Sequence, residues 1–136
     1  MKVVLDTNVL LVSIATKSRY RIIFDSVIND SFTLIFSNEI LSEYTEIIER
    51  KTNMMIANNI SEMLLSLQNV HKQEIYYKWN LISEDKDDNK FVDCAIAGDV
   101  DYLVSNDRHF NCLKKIDFPK LNLLSIDEFI GLLNSA

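Results

Sequence analysis

The chain of 136 residues is 48% hydrophobic and 25% charged, with a net charge of −6, which is ordinary for one soluble globular domain. The excess of acids argues against extensive phosphate binding by lysine and arginine, although divalent cations held by several acids would weaken that objection. The two cysteines, Cys94 and Cys112, exclude a disulfide framework and a cysteine-rich zinc site, and favour reduced thiols in the cytoplasm.

The amino end is apolar but is not a targeting segment. Asp6 and Asn8 interrupt it, and no run reaches the roughly 18 to 20 apolar residues that a membrane span needs. The only glycines are Gly98 and Gly131, which excludes Gly-rich phosphate loops and therefore a nucleotide cofactor. We expect one domain over residues 1–136, located in the cytoplasm and not attached to a membrane.

Strand and helix patterns alternate along the chain. Short β-favouring apolar runs predict strands, and apolar residues spaced by three or four predict helices. The predicted strands are residues 3–5, 32–36, 102–105 and 122–125. The predicted helices cover about residues 9–15, 20–28, 38–51, 54–70, 88–97, 109–115 and 127–133. Residues 75–77 could form a further short strand. The alternation predicts an α/β fold, a three-layer α/β/α sandwich with a central, mainly parallel sheet of four to five strands and right-handed crossovers.

Two predicted strands end in an acid. Val3-Val4-Leu5 is followed by Asp6, and Leu103-Val104-Ser105-Asn106 is followed by Asp107. In a parallel sheet both carboxylates emerge at the same edge, which is where open α/β sheets bind ligands. Two carboxylates a few ångströms apart repel by roughly 4 kcal/mol at an effective dielectric near 20. A hard cation such as Mg²⁺ is therefore the expected occupant.

Helices supply further candidate ligands. Glu43 lies within about 40° of Ile47 on the helical wheel, at the margin of the apolar stripe, so it can reach the same edge. Asp88 begins a later helix on its apolar side, whereas Asp93 projects off that side and ranks below Asp88 as a ligand. The catalytic and metal-binding candidates are Asp6, Glu43, Asp88 and Asp107, with Asp93 as an additional metal ligand.

Each polar candidate also has a structural interpretation. Asp88 taken alone is more often a cap or turn residue, and Glu43 alone a solvated helix residue. Asn8 either braces Asp6 by a hydrogen bond or caps the next helix, and Ser105 either supports the site or forms a local turn. Only the joint placement of four acids favours a metal site. His71 and His109 have no partner at ligand spacing and are predicted to be surface residues.

These motifs together resemble the PIN-domain family. The similarity covers essentially the whole chain and is closest to prokaryotic PIN proteins described as toxins of toxin–antitoxin pairs (VapC-like). The segments that carry it are Asp6-Thr7-Asn8-Val9, Ser37 with Glu43 six residues later, Asp88-Asn89-Lys90-Phe91 with Ala95, and Leu103-Val104-Ser105-Asn106-Asp107.

The resemblance implies a Mg²⁺- or Mn²⁺-dependent endoribonuclease, the toxin component of a toxin–antitoxin pair. It assigns one or two ions to Asp6, Glu43, Asp88 and Asp107, with Asn8 and Ser105 as supporting residues. The hypothesis is hydrolysis of an RNA phosphodiester by a metal-activated water, with the cation offsetting charge on the phosphate oxygens. The implied partners are an RNA substrate, a cognate antitoxin and a second copy of the chain. Candidates for steering the RNA backbone are Lys17, Arg19, Arg21, Lys90 and Arg108, each of which is more often a solvated charge.

Two other functions fit parts of the sequence. A non-catalytic PIN-like module that binds RNA or protein would not need an intact set of acids. An aspartyl-phosphate phosphotransfer protein also places Asp at a strand end, but the phosphatase type has a second Asp two residues later, where this chain has Asn8. Residues 54–82 match no motif.

Overall fold

The computed structural model describes residues 1–135. Its strands are β1 (Lys2–Leu5), β2 (Thr33–Phe36), β3 (Val70–Lys72), β4 (Tyr102–Val104) and β5 (Leu123–Leu124). They form one sheet in the order β3-β2-β1-β4-β5, and every pair is parallel. The predicted α/β class with a mainly parallel sheet is confirmed.

Residues 1–135 also contain six α-helices and two 3₁₀ segments, of which the last helix follows β5. The helices are α1 (Thr7–Ser13), α2 (Arg21–Ile28), α3 (Asn38–Lys51), α4 (Met54–Ser66), α5 (Asn89–Ala97) and α6 (Ile126–Asn134). The 3₁₀ segments are Lys86–Asp88 and Arg108–Lys115. None of the helices in the part of the chain that is described is both long and apolar enough to span a membrane.

The order of connections places a switch point between β1 and β4. From β1 the chain moves to β2 and β3 on one side, and then returns to β4 and β5 on the other. Right-handed crossovers therefore put α1 to α4 on one face and α5 on the opposite face. Accordingly, α1 contacts α2 and α3, while α5 contacts β1, β2 and β4. A crevice outside the carboxyl ends of β1 and β4 is the expected ligand position in such a sheet.

The core explains why β1 has no polar alternation. Val3, Val4 and Leu5 are all fully buried, as in a central parallel strand covered on both faces. Helix α3 begins where Ser37 Oγ accepts a hydrogen bond from Ile40 N at 3.3 Å, and Arg50 lies in its last turn. The Ser37 cap stabilises the first turn of α3, and the positive charge of Arg50 stabilises its last turn. Of the two free thiols, Cys94 is buried and Cys112 exposed.

Three predicted elements are wrong in detail. The helix predicted for residues 54–70 ends at Ser66, and Val70–Lys72 forms strand β3. This edge strand has one apolar residue and is largely exposed, so it carries no strand pattern. Residues 75–77 belong to an irregular segment, and the helix predicted for residues 109–115 is a 3₁₀ segment that begins one residue earlier.

Candidate active site

The carboxyl ends of β1 and β4 bring Asp6 and Asp107 together. Leu5 pairs with Val104 in the sheet, and Asp6 N donates to Val104 O at 3.0 Å. Ser105 Oγ donates to Asp6 Oδ2 at 2.7 Å and accepts from Asp107 N at 3.0 Å. One buried hydroxyl therefore fixes the position of both acids.

Helix α3 supplies Glu43. Tyr44, the next residue, is buried and its hydroxyl donates to Leu5 O, which attaches this turn of the helix to the end of β1. Thr7 Oγ1 donates to Glu43 Oε2, and Lys90 Nζ lies 2.6 Å from Glu43 Oε1. Glu43 is thus held at the same sheet edge as Asp6 by contacts on both of its carboxylate oxygens.

Asp88 reaches the site from the start of α5, and His109 links it to Asp107. The Nδ1 atom of His109 lies 3.3 Å from Asp88 Oδ2 and 3.2 Å from Asp107 Oδ1. A loop acid, Asp85, lies further away, with Oδ2 at 4.0 Å from the same nitrogen. Ligand atoms of Asp85, Asp88 and His109 all fall within 4.8 Å of one another.

An open cleft of about 660 Å³ gives access to this edge. Asp6, Glu43 and Asp107 line it on the side of the sheet, and Tyr20 and Lys51 belong to its walls. Its volume falls within the range of small-molecule sites in proteins. The acids are therefore not sealed in the interior, and a polar substrate can approach them.

Crowding and burial raise the pKa of two of these acids. Burial raises the pKa of Asp6, and the charges of Asp107 and Glu43 raise it further, against the lowering effect of the Ser105 and Thr7 hydrogen bonds. Burial and the negative charges of Asp85 and Asp107 raise the pKa of Asp88 to about 6. The fold therefore disfavours the ionised form of both carboxyls. A bound cation would offset this cost, because its positive charge stabilises the carboxylates.

The donor set fits a divalent metal ion. Four carboxylates from four segments supply the oxygen ligands that Mg²⁺ and Mn²⁺ prefer, and the His109 ring adds a nitrogen that suits a transition metal. Lys90 compensates Glu43 in part, because its ammonium group also lies 2.9 Å from Asp87 Oδ2. Asp6, Asp88 and Asp107 retain their mutual repulsion.

The structure thus places Asp6, Glu43 and Asp107 along one cleft and Asp88 next to Asp107 across His109, but it places Asp93 elsewhere. Asp93 is 5% exposed and lies in a second pocket beside Lys78 and Asn89. Its Oδ1 accepts a hydrogen bond from Trp79 N at 3.0 Å. Asp93 holds the irregular segment rather than facing the acids of the first cleft.

The two supporting residues differ. The contacts of Ser105 fit both interpretations, since its hydroxyl donates to the carboxylate of Asp6 and accepts from the backbone N–H of Asp107. Asn8 is exposed at the cleft wall and lies inside α1, whose N-cap position is Asp6, so Asn8 does not cap this helix.

Three residues at the site were missed as site residues by the sequence argument: Thr7, Lys90 and His109. The surface prediction for His109 is wrong, because its ring is 24% exposed and lies between two acids. The available signal was its place two residues after Asp107.

Lys90 was considered only for steering RNA, but its side chain is 11% exposed and paired with Glu43. Its spacing of three from Asp87 on a helical turn was the signal for part of that contact.

Three of the other four candidate cations are exposed, and Arg21 is half-buried with 24% of its side chain exposed. Arg19 pairs with Asp127 at 3.1 Å with more than 70% of both side chains exposed, and Arg21 pairs with Asp25 at 2.9 Å. Lys17 and Arg108 are exposed. Only Lys90 among the five contacts a predicted acid in the described structure.

Comparison with known proteins identifies the family. The family model described as the PIN domain matches residues 2–109. This chain belongs to the PIN-domain family. The match contains all four clustered acids and confirms the resemblance inferred from the motifs.

A solved structure supports the same PIN fold. The chain is similar to one in the crystal structure of VapBC2 from Rickettsia felis bound to a DNA fragment from their promoter. The TM-score is 0.63 at 20% sequence identity, over 92% of this chain and 98% of that chain. At this identity the similarity establishes the fold alone. Among curated proteins none matches this chain in sequence.

Proposed function

We propose that this PIN domain is an endoribonuclease that depends on Mg²⁺ or Mn²⁺. The observation that carries the proposal is the meeting of Asp6, Glu43, Asp88 and Asp107 at the switch point of the sheet, beside an open cleft. A structural role does not account for four acids at one edge, because their repulsion costs stability. Cation-dependent hydrolysis of a phosphodiester requires a set of metal ligands of this kind.

The four acids would hold one or two ions. A bound divalent cation supplies charge stabilisation for the phosphate oxygens and leaving group and lowers the pKa of water. The chain supplies the orientation: Ser105 fixes Asp6 relative to Asp107, while Thr7 and Lys90 fix the two oxygens of Glu43. With Nδ1 protonated, His109 donates to Asp88 or Asp107 and holds that carboxylate in place.

The family and the structural neighbour also support a proposal for the biological setting. The similarity to a chain of the VapBC2 complex supports a toxin role with an antitoxin as partner. RNA as substrate and a homodimer are further parts of this proposal, in agreement with the motif resemblance. Because Asn8 is exposed at the cleft, we propose that it contacts substrate and does not brace Asp6.

The test is cleavage of a mixed RNA pool by the purified chain with Mg²⁺, with Mn²⁺ and with EDTA. We expect fragments only with a cation, and loss of cleavage by at least about 100-fold in Asp6→Asn and Asp107→Asn, because each removes a ligand charge. Asp25→Asn is the matched control, since Asp25 is an exposed acid on α2. Manganese titration by calorimetry should show binding that both site variants weaken.

Two outcomes would contradict the proposal. If the site variants cut as well as the wild-type chain, those acids are not part of the chemistry. If the chain binds RNA but releases no cation-dependent fragments, it is a binding module with a PIN fold.

A further inference from the structure

An exposed aromatic patch lies outside the acidic cleft. It consists of Tyr77, Trp79 and Phe118, and the exposed Tyr76 precedes Tyr77 in the sequence. The rings of Tyr77 and Trp79 meet edge to face at 4.8 Å, and those of Trp79 and Phe118 at 6.2 Å. Tyr76, Tyr77 and Phe118 are 90%, 65% and 84% exposed. Contiguous apolar surface of this kind on a small domain commonly marks a binding site.

The patch rests on a fixed support. Residues 74–82, here called the strap, have no regular secondary structure, yet two buried side chains of α5 hold them. Asp93 Oδ1 accepts from Trp79 N at 3.0 Å. The amide of Asn89 both accepts from Ile82 N and donates to Ile82 O, each at 2.9 Å. Helix α5 therefore positions the segment that carries Tyr77 and Trp79, whereas Phe118 packs onto Trp79 from the segment that follows Lys115.

The charge around the patch differs in sign from that of the chain. Residues 74–79 and 114–120, which carry the aromatic rings, contain four lysines and two acids. All four lysines are exposed, in a chain whose net charge is −6. They are Lys78, Lys114, Lys115 and Lys120. Aromatic faces interleaved with cations are the features that bind single-stranded nucleic acid, through base stacking and phosphate attraction.

A short segment connects the patch to the acids. The 3₁₀ segment Arg108–Lys115 begins directly after Asp107 and ends three residues before Phe118. Eight residues at about 2 Å rise give this segment a length on the order of 16 Å, and three further residues lead to Phe118. A strand with a phosphate at the acids can therefore reach the patch within a few nucleotides.

We propose that the aromatic patch stacks the bases of single-stranded RNA, a few nucleotides from the phosphodiester at the acidic cleft. The inference deepens the proposed ribonuclease function and rests on it for the nature of the polymer. The lysines favour RNA over an apolar protein surface, which would gain nothing from them.

The experiment uses Trp79, the single tryptophan of the chain, as reporter. The full chain in EDTA is titrated with a short oligoadenylate and with an abasic strand of equal length, while tryptophan emission and binding are followed. We expect saturable quenching by oligoadenylate. The abasic strand should bind at least about fivefold more weakly and leave the emission nearly unchanged, because it offers phosphates without bases.

Variants assign the effect to the patch. Tyr77→Ala and Phe118→Ala should each weaken oligoadenylate binding by about fivefold or more. Met55→Ala is the matched control, because Met55 is 67% exposed on α4 and lies outside the patch. Circular dichroism establishes that each variant is folded.

The outcomes separate this inference from the proposed function. If patch variants bind RNA like the wild-type chain while cation-dependent cleavage persists, the patch inference is overturned and the nuclease stands. If the wild-type chain releases no cation-dependent fragments while oligoadenylate quenches Trp79, the proposed function fails and the patch remains an RNA site. If Tyr77→Ala dissociates a dimer without changing RNA affinity, the patch is a protein interface and the inference is overturned.

Discussion

Lys90 Nζ lies 2.6 Å from Glu43 Oε1 and 2.9 Å from Asp87 Oδ2, with 11% of the lysine side chain exposed. Burial by itself lowers the pKa of Lys90, but the hydrogen bonds to Glu43 and Asp87 outweigh it, so the pKa is raised. The same contact with Lys90 lowers the pKa of Asp87. A permanent positive charge therefore fixes Glu43 at the edge of the acidic cleft.

Replacing Lys90 should separate cation binding from cleavage. In Lys90→Met, Glu43 loses one of the two contacts that hold its carboxylate, so we expect RNA cleavage to fall roughly 10- to 100-fold. Affinity for Mn²⁺ should stay the same or rise, because a nearby positive charge is gone. Lys90→Arg keeps the charge and should recover part of the rate. Calorimetry and cleavage rates measure the two effects, and unchanged cleavage in Lys90→Met would refute the positioning role.

Removing the hydroxyl of Ser105 should lower the rate of RNA cleavage. Ser105→Ala removes the hydrogen bond that opposes the raised pKa of Asp6 and leaves Asp107 N without this partner. We expect a loss of cleavage of about 10- to 100-fold, the usual effect of removing a group that orients a metal ligand. Ser26→Ala, at another buried serine on α2, is the control. Equal activity in the two variants would show that the link between the acids is dispensable.

The pKa of Asp88 predicts opposite effects of pH on stability and on cation binding. Its folded-state pKa of about 6 lies above the ordinary 3.8, so ionisation opposes folding. The stability that Asp88 contributes relative to Asp88→Asn should be highest below about pH 4, and should decline as the pH rises to about 6. Thermal denaturation in EDTA of the wild-type chain and Asp88→Asn measures this difference, and a difference independent of pH would contradict it.

Cation binding should follow the reverse trend, because only the ionised carboxyl is a ligand. Below about pH 6 the affinity for Mn²⁺ should fall by about tenfold for each pH unit if one proton is displaced. Asp88→Asn should bind Mn²⁺ more weakly and lose that part of the dependence. Calorimetric titrations at several pH values test this, and a wild-type affinity that is constant between pH 5 and 7 would rule out Asp88 as a titrating ligand.

The position of the strap should depend on the two hydrogen bonds between the Asn89 side chain and the backbone of Ile82. Asn89→Ala leaves the backbone N–H and C=O of Ile82 without their partners in a buried position. The expected cost is about 1 to 3 kcal/mol in the free energy of unfolding by urea. Asn122→Ala removes one exposed hydrogen bond and should cost far less. If both variants lose the same stability, the strap does not owe its position to Asn89.

Simple rules for parallel sheets predicted much of the candidate site. Asp6 and Asp107 follow strands whose buried apolar runs are visible in the sequence, and parallel strands end at one edge. The period of α3 identified Glu43 as the acid of that helix nearest its apolar face. Asp88 came from its place at the start of α5. In each case a local pattern determined the direction in which the side chain points.

Contacts between segments distant in sequence could not be predicted in this way. The partner of Lys90 lies 47 residues away, and Asp93 contacts the backbone of Trp79 across an irregular segment. Strand β3 was missed because His71 and Lys72 are exposed at a sheet edge, where no alternation is required. Such features depend on tertiary packing, which overrides local preference.

Asp6 follows Leu5 without an intervening loop, and the carbonyl of Leu5 accepts the hydroxyl of Tyr44, the neighbour of Glu43. The peptide bonds Leu5–Asp6 and Glu43–Tyr44 therefore each join a buried core residue to an acid of the candidate site. A random screen for inactive variants should recover conservative changes at Leu5 and Tyr44 that leave the protein abundant, because a small shift there would misplace two acids at once.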